Sequence, residues 1–142
     1  MTLEQAARHA EATVLYPSSV TITGACTDNR QVSPDNIFVA IAGEKVDGHD
    51  FAAAAVRAGA AAVLAERDPF HGEAPAPVLV VKNSVEALGR MAHAWRLAFS
   101  GRVIGITGTA GKTTTKELLA HILSVHGKTA KNRMNLNSQI GM

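Results

Sequence analysis

Cysteine is almost absent from this chain. Cys26 stands alone among 142 residues, so no internal disulfide can form and a secreted, disulfide-stapled scaffold is excluded. Long hydrophobic runs are absent too. No stretch approaches the roughly 18 consecutive apolar residues of a membrane-spanning helix. Met1 to Ala10, interrupted by Glu4, Arg8 and His9, lacks the apolar centre of a signal peptide. A cytoplasmic location with no membrane span is expected. Nor is there a strong charge of one sign. The net charge is +2, and the basic residues are dispersed, so no nucleic-acid partner is expected. The six histidines, at 9, 49, 71, 93, 121 and 126, show no metal-ligand spacing. Internal repeats are missing, and only the alanine-rich stretch 52–62 approaches low complexity. What remains is a chain with 46% apolar and 18% charged residues, the balance of a globular protein. A monomer is expected.

The chain alternates strand and helix signals. Thr2 caps a helix to Glu11 with Leu3, Ala6, Ala7 and Ala10 on one face. Val20 to Thr27 reads as a strand, Asp28-Asn29-Arg30 as a turn, and Ile37 to Ile41 as a buried strand. Asp50 is expected to cap a helix through Arg57, ended by Gly59, before a strand over Ala61 to Ala65. Asp68 to Pro77, with three prolines and a glycine, is a loop. Val78 to Val81 is a strand. Ser84 is expected to cap a helix to Phe99 whose inward face carries Leu88, Met91, Ala92, Trp95 and Leu97 or Ala98. Ser100-Gly101 breaks it. A buried strand over Val103 to Thr107 and a helix from Lys112 to His126 follow, with Leu118, Leu119, Ile122 and Val125 as its apolar stripe. These elements predict an α/β fold: a small mixed α/β domain over residues 1–100, then a truncated strand–loop–helix start of a second domain over 101–142. One strand and one helix cannot bury both their faces, so the second domain reads as cut short.

Between that last strand and helix lies Gly108-Thr109-Ala110-Gly111-Lys112-Thr113. A helix N-terminus offers unpaired N–H groups and the positive end of a dipole to an anion. Gly108 and Gly111 let the backbone approach phosphates without a Cβ in the way. Lys112 supplies a mobile charge for the outer phosphates, the Thr113 hydroxyl can ligate Mg²⁺, and Thr114 and Thr115 add hydroxyls. The strict pattern wants glycine at 106, where Ile106 sits. No acidic residue after 117 offers itself as a second Mg²⁺ ligand. Glu117 lies more than a turn past Thr113 and reads as a solvated helix residue.

Over Gly105 to Glu117 the chain resembles the Mur ligases, ATP-dependent amide-forming enzymes of peptidoglycan synthesis. The shortened phosphate loop is usual among them, and Ala110 stands where Asn is commonest. Thr115-Lys116-Glu117 and Asn135-Leu136-Asn137-Ser138-Gln139-Ile140-Gly141 resemble the branch that adds D-alanyl-D-alanine to UDP-N-acetylmuramoyl-tripeptide. Thr27-Asp28-Asn29-Arg30 and Gly43 to Phe51 resemble the N-terminal domain that holds the UDP-sugar, with Asn29 in place of a serine. The resemblance implies ATP and Mg²⁺ as cofactors, with Lys112 and Thr113 as catalytic residues and Gly108 to Thr114 around the phosphates. Asp28, Asn29, Arg30, Asp47, His49, Asn135 and Asn137 would contact substrate. It implies carboxylate activation through an acyl phosphate, followed by attack of the D-Ala-D-Ala amine. With about forty residues of the central domain, the chain should lack catalysis on its own.

Several residues admit a plainer reading. His49 can touch the UDP-sugar or be a hydrogen-bonded turn histidine. Arg30 can meet a diphosphate or a surface carboxylate. Asn135 and Asn137 can hold substrate or serve a turn. Cys26 reads as a small buried residue and Trp95 as packing. Two other functions fit the same features: a sister ligase adding a diamino acid as the third residue (or a folate-polyglutamate ligase), and a UDP-sugar-binding module without catalysis.

Overall fold

A computed structural model describes residues 1–43, 46–73 and 75–132, and the chain divides after Ala98 into two compact units. The first unit is built on a five-stranded sheet of order β1-β5-β4-β3-β2. Its strands are β1 (Thr13–Leu15), β2 (Gly24–Cys26), β3 (Asn36–Val39), β4 (Ala62–Ala65) and β5 (Val78–Val80). β2 to β5 run parallel and β1 pairs antiparallel with β5 at the edge. Ile37 lies opposite Ala62, and Leu64 opposite Leu79.

Side chains of a strand alternate between faces, and both faces of this sheet are covered. On one side Ile37, Val39, Leu64, Leu79 and Val81 pack with Leu3, Ala6 and Ala10 of α1 (Leu3–Ala10) and with Ala87 and Met91 of α3 (Ser84–Ala98). On the other, Phe38, Val63, Ala65 and Val78 pack with Ala52 and Ala55 of α2 (Ala52–Arg57) and with Phe70. Burying a side chain such as Phe38 or Leu64, both 1% exposed or less, stabilises by roughly 1.5–3 kcal/mol. The alanines of α1 and α2 leave little side chain between helix and sheet. A mixed α/β fold with strands at the places of β2 to β5 is what the alternation predicted.

The differences are local. Thr2 caps α1 as expected, in a box completed by Gln5. Of the expected strand over 20–27, only Gly24–Cys26 forms one. The earlier part hydrogen-bonds to the N-terminus instead: Ile22 N–H donates to the Met1 carbonyl, and Leu3 N–H to that of Val20. Asp50 is not the cap of α2. A one-turn 3-10 helix, Gly48–Phe51, precedes it, and its cap is the Asp47 carboxylate, which accepts from His49 N–H. Ser84 does not cap α3 either. Asn83 accepts from Glu86 N–H at 2.9 Å, leaving Ser84 buried as the first helical residue. Leu88 and Trp95 are half-buried against the core. Ala92, Leu97 and Ala98 are exposed. β1 had no counterpart in the sequence reading. Its three residues are too short for a periodic signal.

The second unit holds α4 (Lys112–Ser124), shorter than the expected helix to His126. Residues 102–108 form no strand, and Val103 and Ile104 are exposed. A strand needs a neighbour for its N–H and C=O groups, and none flanks this segment among the described residues. For the same reason Leu118 and Ile122 on α4, and Val125 just past its end, remain exposed.

One tight approach fixes the connection after β3. A Cβ at Gly48 would lie 2.6 Å from the Ile41 nitrogen and 2.7 Å from its oxygen. Both are backbone atoms, so the loop itself must move. Gly48→Ala is expected to cost about 1–3 kcal/mol, read as a lower urea midpoint; an unchanged midpoint would show that the loop is not held at this point.

Candidate functional site

Parallel strands carry their ligands at their carboxyl ends, where the following loops converge. Here that edge presents Asp28 to Gln31 after β2, Ile41 to Gly43 and Val46 to Phe51 after β3, and Glu66 to Asp68 after β4.

After β2 the Asp28 carboxylate organises the turn. It caps the one-turn 3-10 helix Asn29–Gln31 through Arg30 N–H at 3.0 Å. It also accepts from Arg30 Nε at 2.9 Å, Arg30 Nη2 at 2.8 Å and Gln31 Nε2 at 3.3 Å. The Arg30 guanidinium holds this carboxyl well below the usual carboxylate range, with its backbone N–H adding to the effect. Only two of the five guanidinium donors are spent on Asp28, and the side chain is 82% exposed. Arg30 is therefore aimed by its neighbour and still open to an anion. Cys26 Sγ contacts the Asp28 carbonyl at 3.0 Å and is half-buried rather than fully packed away.

After β3, Asp47 plays the matching part. It accepts from Arg67 Nη2 at 2.5 Å, from His49 N–H at 2.9 Å and from the His49 ring at 2.5 Å. The Arg67 hydrogen bond is the largest cause of a carboxyl held far below its ordinary range, followed by the two from His49. The other ring nitrogen of His49, Nε2, accepts from Glu66 N–H at 3.0 Å. That assigns the proton to Nδ1 and uses both ring nitrogens within the fold. The ring is buried, so His49 is a turn histidine that locks Asp47 to the end of β4. Beside it a cleft of about 320 Å³ opens, lined by His49, Asp50, Arg67, Asp68 and His71. Asp68 accepts from Tyr16 Oη at 2.6 Å and from Phe70 N–H at 2.9 Å. Those bonds lower its pKa, and donating to it raises that of Tyr16.

In the second unit the phosphate loop has the torsions its glycines imply. Gly108 has φ +149° and Gly111 φ +77°, values at which a side chain would be strained. Gly111 is the N-cap of α4, and no side chain caps that helix. Its own chain neighbours aside, no heavy atom of the described residues lies within 4 Å of a Cβ placed there. The space in front of the helix is open to an anion. Lys112 Nζ folds back over the loop onto the Gly108 carbonyl at 2.5 Å, which places its charge beside that space. These residues fit a polyphosphate. Thr113, in the first turn of α4, can add one oxygen to a Mg²⁺ held mainly by phosphates. No group of three metal-ligating side chains exists among the described residues. Glu117 is engaged elsewhere: Lys131 and Lys116 pair with it and lower its pKa.

The fold thus brings Asp28, Asn29, Arg30, Asp47 and His49 to one sheet edge, while Gly108 to Thr114 form the loop of the other unit. Asn135 and Asn137 lie outside the described residues. Glu66 and Arg67 were missed by the sequence reading. Their only signal was position, two charged residues directly after an apolar strand. No helix among the described residues is long and apolar enough to cross a membrane.

Comparison with known proteins places both units. Residues 21–96 match the model described as Mur ligase family, catalytic domain, and residues 106–142 the Mur ligase middle domain. The UDP-N-acetylmuramoyl-tripeptide--D-alanyl-D-alanine ligase of Synechocystis is 42% identical over 125 residues, covering 87% of this chain and 27% of that protein. The UDP-N-acetylmuramoyl-L-alanyl-D-glutamate--2,6-diaminopimelate ligase of Syntrophomonas wolfei is 41% identical over 122 residues, 84% of this chain and 25% of that one. Among solved structures, MurF from Acinetobacter baumannii superposes with a TM-score of 0.82 at 32% identity, over 99% of this chain and 31% of its own. MurF from Thermotoga maritima, crystallised with ADP, gives 0.68 at 37% identity, over 82% of this chain and 27% of its own. The chain therefore spans under a third of the length of these relatives.

Asp28, Asp47 and Asp68 all have lowered folded-state pKa values. The unfolded chain then binds more protons than the native one in acid, and stability rises with pH through that window. Their contribution is complete above an unfolded carboxyl value near 3.9 and is lost as pH falls below it, through the folded values. Urea midpoints measured from about pH 6 down to about pH 2 are expected to drop steeply at the acid end. Asp28→Asn and Asp47→Asn are each expected to flatten that limb; an unchanged slope in both would contradict the assignment.

Proposed function

The chain belongs to the Mur ligase family, and on that premise we propose that it is the nucleotide-sugar-binding and phosphate-binding part of the ligase that adds D-alanyl-D-alanine to UDP-N-acetylmuramoyl-tripeptide. The observation that carries the reading is the loop at 108–113, with two glycines at positive φ, a helix start without a side-chain cap, and Lys112 folded over it. In this reading residues 1–100 hold the UDP-sugar and 101–142 begin the ATP-binding domain. Arg30, aimed by Asp28 and flanked by Asn29, meets the diphosphate at the carboxyl edge. Asp47 and His49 shape that edge from behind. Asn135 and Asn137 contact substrate or phosphate.

The reaction transfers the γ-phosphoryl group of ATP to the terminal carboxylate of the tripeptide, releasing ADP and leaving an acyl phosphate. The amine of D-Ala-D-Ala attacks the acyl carbon, the bond to the phosphate oxygen breaks, and the amine proton is lost as phosphate leaves. Gly108, Thr109, Ala110, Gly111 and Thr114 cradle the phosphates through their backbone at the helix start. Lys112 leaves the Gly108 carbonyl to neutralise charge on the transferring group, where a fixed cation does most good. Mg²⁺, when bound, adds charge neutralisation on the phosphates, with Thr113 as one of its oxygen ligands. The work is done as a soluble cytoplasmic monomer.

The diaminopimelate-adding relatives match almost as well as the D-Ala-D-Ala-adding ones, which keeps the sister activity as the second reading. ATP-dependent phosphate release, measured on the protein at the full length of its relatives, separates the two. Release with UDP-N-acetylmuramoyl-tripeptide and D-Ala-D-Ala is expected. Release only with the dipeptide substrate and a diamino acid would move the assignment to the sister ligase. Silence with both, in folded protein, would leave a binding module. Lys112→Ala is expected to lower the rate by at least about 100-fold without unfolding the protein; retained activity would remove Lys112 from the mechanism.

A further inference from the structure

The carboxyl edge of the first sheet contains a polar chain that reaches across three strands. Arg67 Nη2 donates to Asp47 Oδ2, and Asp47 Oδ1 accepts from both the backbone and the ring of His49. His49 Nε2 accepts from Glu66 N–H, and the Glu66 carboxylate accepts from Ser84 N–H at 3.0 Å. Asp47 closes the connection after β3 through its antiparallel bridge to Ala42. Glu66 and Arg67 follow β4, and Ser84 opens α3 after β5. The links therefore tie the connection after β3 to the ends of the next two strands.

We infer that Arg67, Glu66, His49 and Asp47 are positioning residues for the nucleotide sugar: they hold the connection after β3 in the shape the ligand needs and do not touch the ligand through His49. The inference rests on the reading of this edge as the UDP-sugar site. Three observations favour positioning over a direct role. Both nitrogens of the buried His49 ring are consumed inside the chain. The Asp47 carboxylate already accepts from three donors within the chain. Arg67 is paired with Asp47 and feels the negative charges of Asp50 and Glu66 as well, a poor receptor for an anion compared with Arg30, whose one carboxylate partner among the described residues is Asp28. Arg67 is also exposed, at 57%, with Glu66 beside it exposed as well. Removing it should release Asp47 without opening the core, since an exposed ion pair contributes little to stability.

The test is calorimetric titration of UDP-N-acetylmuramoyl-tripeptide into the 142-residue chain. Arg67→Met and Asp47→Asn are each expected to raise Kd by about tenfold or more, because small misplacements of binding groups are costly. The double variant should be no worse than the poorer single one, as members of one network are not additive. Arg67→Lys, which keeps a single donor for Asp47, should recover most of the affinity. The melting midpoint of Arg67→Met should stay within a few degrees of wild type, which separates positioning from general destabilisation. Unchanged affinity in Arg67→Met, or full additivity in the double variant, would overturn the inference alone. No binding by the wild-type chain would remove the site reading and this inference with it.

Discussion

The first unit depends on one constraint: a parallel sheet must be buried on both faces. β3 and β4 meet it with unbroken apolar runs, so that Ile37 and Val39 point to α1 and α3 while Phe38 and Val63 point to α2. Alanine lines the helices that do the covering. Once the faces are closed, polar chemistry has only the strand ends to occupy. The carboxyl ends receive it in the form of Asp28, Asp47 and Asp68. Each of these carboxylates caps or braces its own loop through backbone N–H groups and is held ionised by a neighbouring donor. The core places the strand ends, the carboxylates shape the loops, and the loops present Arg30.

The second unit shows what is local and what is not. The phosphate loop needs two glycine torsions, a helix start and a lysine long enough to fold back, all within seven residues of sequence, and it is formed. The segment before it needs neighbouring strands for its backbone groups. It stays without a ladder, and the apolar stripe of α4 stays exposed beside it. A binding loop can thus take shape where the sheet that would support it does not.

Legibility in the sequence followed the same division. Periodicity found α1, β3, β4, β5 and α3, because long apolar patterns report burial directly. Glycine and lysine spacing placed the turn with two positive-φ glycines and the start of α4. The caps expected at Asp50 and Ser84 fall instead to Asp47, which caps the 3-10 helix ahead of α2, and to Asn83 at the start of α3, since several neighbouring residues could cap and only the loop geometry selects one. The role of His49 was left open between ligand contact and turn support; both nitrogens of its ring have partners within the chain. Arg67 and Glu66 could not be found at all, because their partners lie about twenty residues away across a strand crossover.

The central claim is that the nucleotide sugar lies on the carboxyl edge of the first sheet. Hydrogen–deuterium exchange with and without UDP-N-acetylmuramoyl-tripeptide addresses it directly. Added protection is expected at residues 28–31, 46–51 and 66–68, with α1 at Leu3–Ala10 unchanged. Protection confined to the opposite edge or to α1, or no protection at a saturating concentration, would contradict it.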